Sequence, residues 1–225
     1  MGRTHYAGKH LENYTYEDLI PLTRKQLMGL FRELDAPDMA EMHGEYRAAL
    51  LDSGHIVSRF LSWWYLYATW GAWQHKAFEP LGQDHGHGYN TFLTTEARLY
   101  ENYFVASIMK AVSILKAFFR MNYAQRLARV MLNQTAMVTS VFDGRPSFQL
   151  SYRPYNTFFT NTMTDEVRRI NDNLYLGIGR LTVTLGKYNP MPFVLIGPPD
   201  PWVGPDVPFP DNGKVAKNEK QAGDN

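Results

Sequence analysis

The pattern of hydrophobic and polar positions changes period near Val130. Before that point helical spacing dominates. Leu27, Leu30, Phe31 and Leu34 share one stripe behind Thr23, a residue type that caps helix starts, and they predict a helix within 19–42 that "DAPDMAEM" interrupts. Two further helices are predicted over 56–76 and 95–121. In the second, Phe104, Ile108, Val112, Leu115 and Phe119 recur on one face, with Ser107, Lys110 and Ser113 on another. Lys110, Lys116, Arg120, Arg126 and Arg129 make its far end basic, the usual sign of a solvated face. One short piece breaks the helical rule: Tyr46, Ala48 and Leu50 alternate with Glu45, Arg47 and Ala49 between Gly44 and "DSG", which predicts a strand over 43–51.

After Val130 the period is two. "AMVTSVFDGRPSFQLSYRPYN" predicts a pair of strands around an Asp143-Gly144 turn, since that dipeptide favours tight hairpins. "NLYLGIGRLTVTL" and "MPFVLI" predict two more, and the sheet is expected mainly over 43–51 and 137–196. Gly177 and Gly179 fall on one face of their strand, where they permit a sharp bend or leave room for a ligand. From Gly197 repeated prolines exclude helix and central strand, so 197–225 is expected as an extended arm and disordered tail. Trp202 and Phe209 in that arm predict docking, on the same barrel or on a neighbouring subunit. The expected fold is therefore one α+β domain over 1–196: an antiparallel barrel-like or strongly curved sheet with inserted helices, followed by a proline-rich arm.

Composition narrows the function classes. The 225 residues are 44% hydrophobic and 14% aromatic, ample for a core. Twenty-three basic residues against 22 acidic ones leave a net charge of +1, which gives no general attraction for nucleic acid. Cysteine is absent, so disulfides, thiolate metal sites and cysteine nucleophiles are excluded. The polar N-terminus has no secretory signal pattern, and a cytoplasmic location is the expectation. "FLSWWYLYATWGAW" (60–73) is uncharged but too short to span a bilayer, which leaves core helix, interface or contact with a membrane surface.

Candidate chemistry is sparse. No nucleophile elbow, Walker loop, zinc-protease helix or dinucleotide fingerprint occurs. "GQDHGHGYN" (82–90) places His85 and His87 two residues apart, with His75, Asp84 and Glu79 the local residues able to complete a metal site. The expectation is instead a mobile, glycine-rich loop between two helices at a pocket entrance, without metal or other cofactor. Tyr89-Asn90, Tyr155-Asn156 and Tyr188-Asn189 fit turns, or else Tyr89, Tyr152 and Tyr155 gather at a barrel mouth. Arg180 stands on an otherwise apolar strand and needs solvent, a carboxylate, an aromatic face or a ligand. The pairs Glu45/Arg47 and Asp143/Arg145 have the spacing of surface ion pairs.

Gly44 and Tyr46 in "MHGEYRAALL", with Arg180 as a late basic residue, resemble the first-strand motif of calycin or lipocalin-like barrels. Trp73, Lys76 and Phe78, then Phe142, Asp143, Gly144 and Pro146, resemble in order two features of the bacterial GXWXG/DUF4334 group. That resemblance implies a barrel enclosing an apolar cavity for one small lipophilic molecule, with Arg180 packed over Tyr46. The leading functional expectation is binding of a small hydrophobic molecule with a polar or acidic end. Its lining would come from the sheet and from the helix around Trp63, Trp64 and Trp70. The candidate binding residues are Tyr46, Trp73, Lys76, His87, Tyr89, Asn90, Tyr152, Tyr155 and Arg180. One alternative is an isomerase, cyclase or hydrolase using His75 or His87 with a tyrosine such as Tyr89. The other is an interaction protein that assembles into homo-oligomers through the aromatic helix and the arm.

Overall fold

The computed structural model describes residues 4–69, 71–94, 125–182 and 185–210. Its centre is a closed barrel of eight antiparallel strands: β3 (Gly44–Leu50), β4 (Ala72–Pro80), β5 (His85–Thr94), β6 (Arg126–Thr139), β7 (Pro146–Ser151), β8 (Met163–Asn171), β9 (Leu174–Leu181) and β10 (Met191–Asp200). Each strand pairs with its sequence neighbours, and β10 closes the ring on β3, with Leu195 opposite Ala48. At that seam Gly44 holds φ at +101°, and a Cβ there would lie 2.4 Å from the Asp200 carbonyl oxygen. Only glycine meets both demands.

Two short strands, β1 (His5–Tyr6) and β2 (Lys9–His10), form a separate ribbon before the barrel. Among the described residues there are three short α-helices: α1 (Tyr16–Leu19), α2 (Arg24–Glu33) and α3 (Ile56–Trp63). The start of α2 is the one expected. Thr23 Oγ1 accepts from the Gln26 amide, and Gln26 Oε1 accepts from the Thr23 amide at 3.0 Å, a reciprocal cap. The Leu27, Leu30, Phe31 and Leu34 stripe packs on the outside of the barrel, where it covers Leu176, Ile178 and Val194.

Alternation along the strands sends the other side chains inward. Tyr46, Phe78, Phe92, Phe148, Val167 and Tyr175 fill the interior, and Met39 and Met42, from the turn before β3, join them there. The two ends of the barrel differ. One carries the short turns 81–84, 140–145 and 172–173, whereas the long connections after β3, β7 and β9 emerge at the other, where β5 also ends and β6 begins.

Several expectations are corrected. The helix expected over 56–76 is α3 followed by a π-helical turn, Trp64–Thr69, and from Ala72 the chain is strand β4. A bulge between Trp73 and His75 shifts the alternation of β4 and conceals its period of two. The sheet begins well before 137, because β4, β5 and the first half of β6 belong to it. Arg126 and Arg129 accordingly lie on a strand rather than at a helix end. Strand β10 continues through Asp200, past the expected boundary at 196. The helix expected over 95–121 lies outside the described residues.

"GQDHGHGYN" is neither a loop between helices nor an entrance. Strand β5 starts at His85, and the turn before it lies at the short-turn end. Its glycines serve packing. A Cβ on Gly86 would sit 2.6 Å from the Glu79 carbonyl oxygen, and one on Gly88 would sit 2.2 Å from that of Ala77.

Candidate functional site

Inside the barrel, near the end with the long connections, five polar side chains share one network. Lys76 on β4, Asn90 on β5 and Asp165 on β8 point inward from their strands, Trp73 is the second residue of β4, and Tyr152 directly follows β7. Lys76 Nζ donates to Asp165 Oδ2 at 2.7 Å, to the Tyr152 hydroxyl at 2.5 Å and to Asn90 Oδ1 at 3.1 Å. The Tyr152 hydroxyl donates to Asp165 Oδ2 at 3.0 Å. Asn90 Nδ2 donates to that hydroxyl at 3.1 Å and to the Met131 carbonyl at 3.3 Å, while Asn90 Oδ1 also accepts from Trp73 Nε1 at 3.1 Å.

The rings of Trp73, Tyr152 and Phe193 surround the ammonium, with centroids 5.1 to 5.3 Å from Nζ. Burial pushes the Lys76 amine below its ordinary range, and Asp165 opposes that shift. Burial, followed by the Asp165 charge, pushes the Tyr152 phenol well above its own.

The donor and acceptor capacity of Lys76, Asn90, Tyr152 and Trp73 is used up within this network. Asp165 Oδ1 is different, since among the described residues nothing donates to it. Gly179 lies beside it on β9, where a Cβ would stand 3.0 Å from that oxygen. A cavity of about 30 Å³ opens here, lined by Lys76, Asp165, Gly179 and Phe193 and roofed by Ser62, Tyr65 and Leu66 from α3 and the π-helical turn. Tyr65 is tied down through its hydroxyl, 2.9 Å from Thr160 Oγ1. The neighbouring glycine serves a different purpose: the Phe193 ring occupies the space a Gly177 side chain would need, 2.1 Å from that Cβ position.

The structure thus brings together five of the expected site residues. Trp73, Lys76, Asn90 and Tyr152 are in the network, and Tyr46 is in the same interior core. Arg180 is not there. Its neighbours Gly179 and Leu181 face inward, so it faces outward, and the rings against Tyr46 are those of Phe78 and Tyr175. Trp63 is half exposed and borders an open groove of about 440 Å³ with Tyr16, Ile20 and Tyr67 rather than the cavity beside Asp165, and Trp70 lies outside the described residues.

Tyr89, Tyr155 and His87 are on the outer surface under the C-terminal arm. Trp202 and Phe209 pack there with Ala77, Tyr89 and Leu132. The His87 ring is stacked on Phe209, with centroids 3.8 Å apart and planes 4° apart, and its Nε2 lies 2.8 Å from Glu79 Oε2. His85 pairs with Asp84 instead, so the two histidines take separate partners. His75 also faces outward, and burial lowers its pKa. None of the expected acid–base residues therefore reaches the cavity.

Asp165 was not expected from the sequence. Its strand reads "MTDEVRRIN", which looks like solvated loop, yet Asp165, Glu166 and Arg168 are all buried. The expected surface pair of Asp143 and Arg145 takes separate partners, since Arg145 reaches Asp35 at 2.6 Å in solvent while Asp143 turns to a buried arginine. Asp143 binds Arg168 through both carboxylate oxygens at 2.6 Å, and Arg168 also donates to the Phe31 carbonyl. Burial pushes the Asp143 carboxyl up, but this pairing outweighs it and holds the group below its usual range.

A larger groove of about 500 Å³ lies outside the barrel, along Glu12, Asp35, Arg169 and Asp172. Arg169 is already engaged there by Asp172 and Glu41.

No known family profile matches the chain, and no curated protein matches it. Among solved structures, a protein from Thermomonospora curvata is similar over 78% of this chain and 87% of its own, at 14% identity and a TM-score of 0.42.

Proposed function

We propose that the barrel binds a small lipophilic molecule at its capped end, in the manner of the calycin-like barrels its sequence resembles, and that the polar end of this molecule is a hydrogen-bond donor. The observation that carries this reading is the open oxygen of Asp165. Asp165 borders the cavity, and with no donor to this oxygen among the described residues a ligand atom can reach it there. An acid would be the wrong partner, because the three donors of Lys76 are already committed and a second carboxylate would face the first. An amine, alcohol or amide would complete the network.

At about 30 Å³ the cavity has room for only a water molecule or two. The ligand's apolar body must therefore displace the roof of Tyr65 and Leu66. The test is a titration of matched long-chain amines, alcohols and carboxylic acids, followed by tryptophan emission, with intact protein and with Asp165→Asn. Saturable binding of the donors, weakened in the variant, is expected. Preferential binding of the acids, or no saturable binding across the series, would refute the reading.

A further inference from the structure

The end of the barrel that holds the cavity is also the end with uncovered apolar side chains. On α3, Ile56, Phe60 and Trp63 are 75%, 59% and 52% exposed, and Leu185 and Tyr188 on the β9–β10 connection are 75% and 78% exposed. The two groups adjoin, since Ser58 donates to Asn189 Oδ1 at 3.0 Å. A soluble surface rarely gathers large apolar side chains in this way without a use for them.

Charge separates the two ends as well. Among the described residues, connections 51–71, 152–162 and 182–190 contribute exposed Arg59, Arg153 and Lys187 and a single acid, Asp52. That acid accepts from the Arg24 and Gly54 amides at 2.8 and 3.1 Å and lies 3.8 Å from Arg59 Nε, so it offsets part of the Arg59 charge and leaves Arg153 and Lys187 as the unopposed cations of these connections. The opposite end holds Asp84, Asp143 and Asp172 on its turns and Asp38 and Glu41 before β3, against Arg145 and against Arg168 and Arg169, which pair with Asp143 and with Asp172 and Glu41. The described residues therefore present a basic, apolar face at one end and a more acidic one at the other.

We infer that the cavity end docks on an anionic lipid surface, with α3 lying in the interface and Phe60, Trp63 and Tyr188 entering the headgroup region. Short amphipathic helices with aromatic residues beside basic ones bind such surfaces by this combination of burial and charge. No helix among the described residues is long and apolar enough to cross a membrane, and the inferred contact is a peripheral one through this face. Docking would bring the roof of the cavity against lipid, where an apolar molecule can pass between them without crossing water.

The test is co-sedimentation of the full chain with vesicles of equimolar phosphatidylglycerol and phosphatidylcholine, and with vesicles of phosphatidylcholine alone. Binding to the anionic vesicles that falls with added salt is expected. Phe60→Ser/Trp63→Ser and Arg59→Glu/Lys187→Glu should each weaken it at least about tenfold, by loss of buried area and of charge respectively. Both changes fall on exposed positions, so unchanged thermal melting serves as the control for folding. Absence of vesicle binding by the intact protein, or binding that survives either double substitution, overturns the inference. So does a dimer in sedimentation velocity that Phe60→Ser/Trp63→Ser dissociates without any vesicle binding, since the face would then belong to a second copy.

Discussion

Lys76 and Asp165 meet across the barrel interior at 2.7 Å, with side chains only 3% and 4% exposed. Removing one partner strands the other charge, so Lys76→Met and Asp165→Leu should each destabilise the fold by about 3–5 kcal/mol. The double substitution replaces the pair with apolar volume and should recover much of that loss. Urea unfolding of the four proteins gives the coupling energy directly.

Gly177 and Gly179 lie two residues apart and should respond differently to alanine. At Gly177 the added methyl meets the Phe193 ring, and overpacking should cost roughly 1–3 kcal/mol, read as a lowered melting temperature. At Gly179 it enters the cavity beside Asp165. Stability should change little there, while affinity for an amine or alcohol ligand falls.

The arm should matter to the isolated chain. Trp202 and Phe209 are half-buried against the barrel, and each contributes at most roughly 1.5–3 kcal/mol by area. Truncation after Asp200, which keeps β10 whole, should lower the melting temperature. Trp202→Ala/Phe209→Ala should reproduce most of the loss if side-chain docking, rather than the backbone bonds of the arm, supplies the stability.

Alkaline stability should depend on Tyr89. Burial first, and then the hydrogen bond to Glu45, raise its phenol from 10.0 to about 12. Between those values the folded protein keeps a proton that the unfolded chain has lost, so stability falls as pH rises through this window. Lys76, whose pKa is lowered, acts with the opposite sign below 10.5. Tyr89→Phe should flatten the decline measured by denaturant unfolding, without abolishing it, since Tyr152 and Tyr175 are also raised.

The strands easiest to recognise in the sequence were those with one apolar and one polar face, such as β3 and β7, and α2 was marked by its cap. Strands β4, β5 and β8 were hidden for three different reasons. In β4 a bulge at Gln74 broke the alternation. In β5 the glycines that allow close packing gave the segment the composition of a loop. In β8 charged residues face both the interior and a covering helix, so neither face had the pattern of a buried one. For the same reason the candidate site was half visible: Trp73, Lys76, Asn90 and Tyr152 stood out through resemblance or residue type. Asp165 resembled any surface carboxylate, because its burial depends on partners from β4 and from the segment just after β7.

The seam between β3 and β10 also sets an order for synthesis. Until Met191–Asp200 has left the ribosome, β3 and β9 each present a bare backbone edge, and no earlier strand can cover both. Exposed edges of this kind invite pairing between chains. The nascent protein therefore carries its greatest risk of aggregation late, with seven of the eight strands already made, and the last strand removes both edges at once.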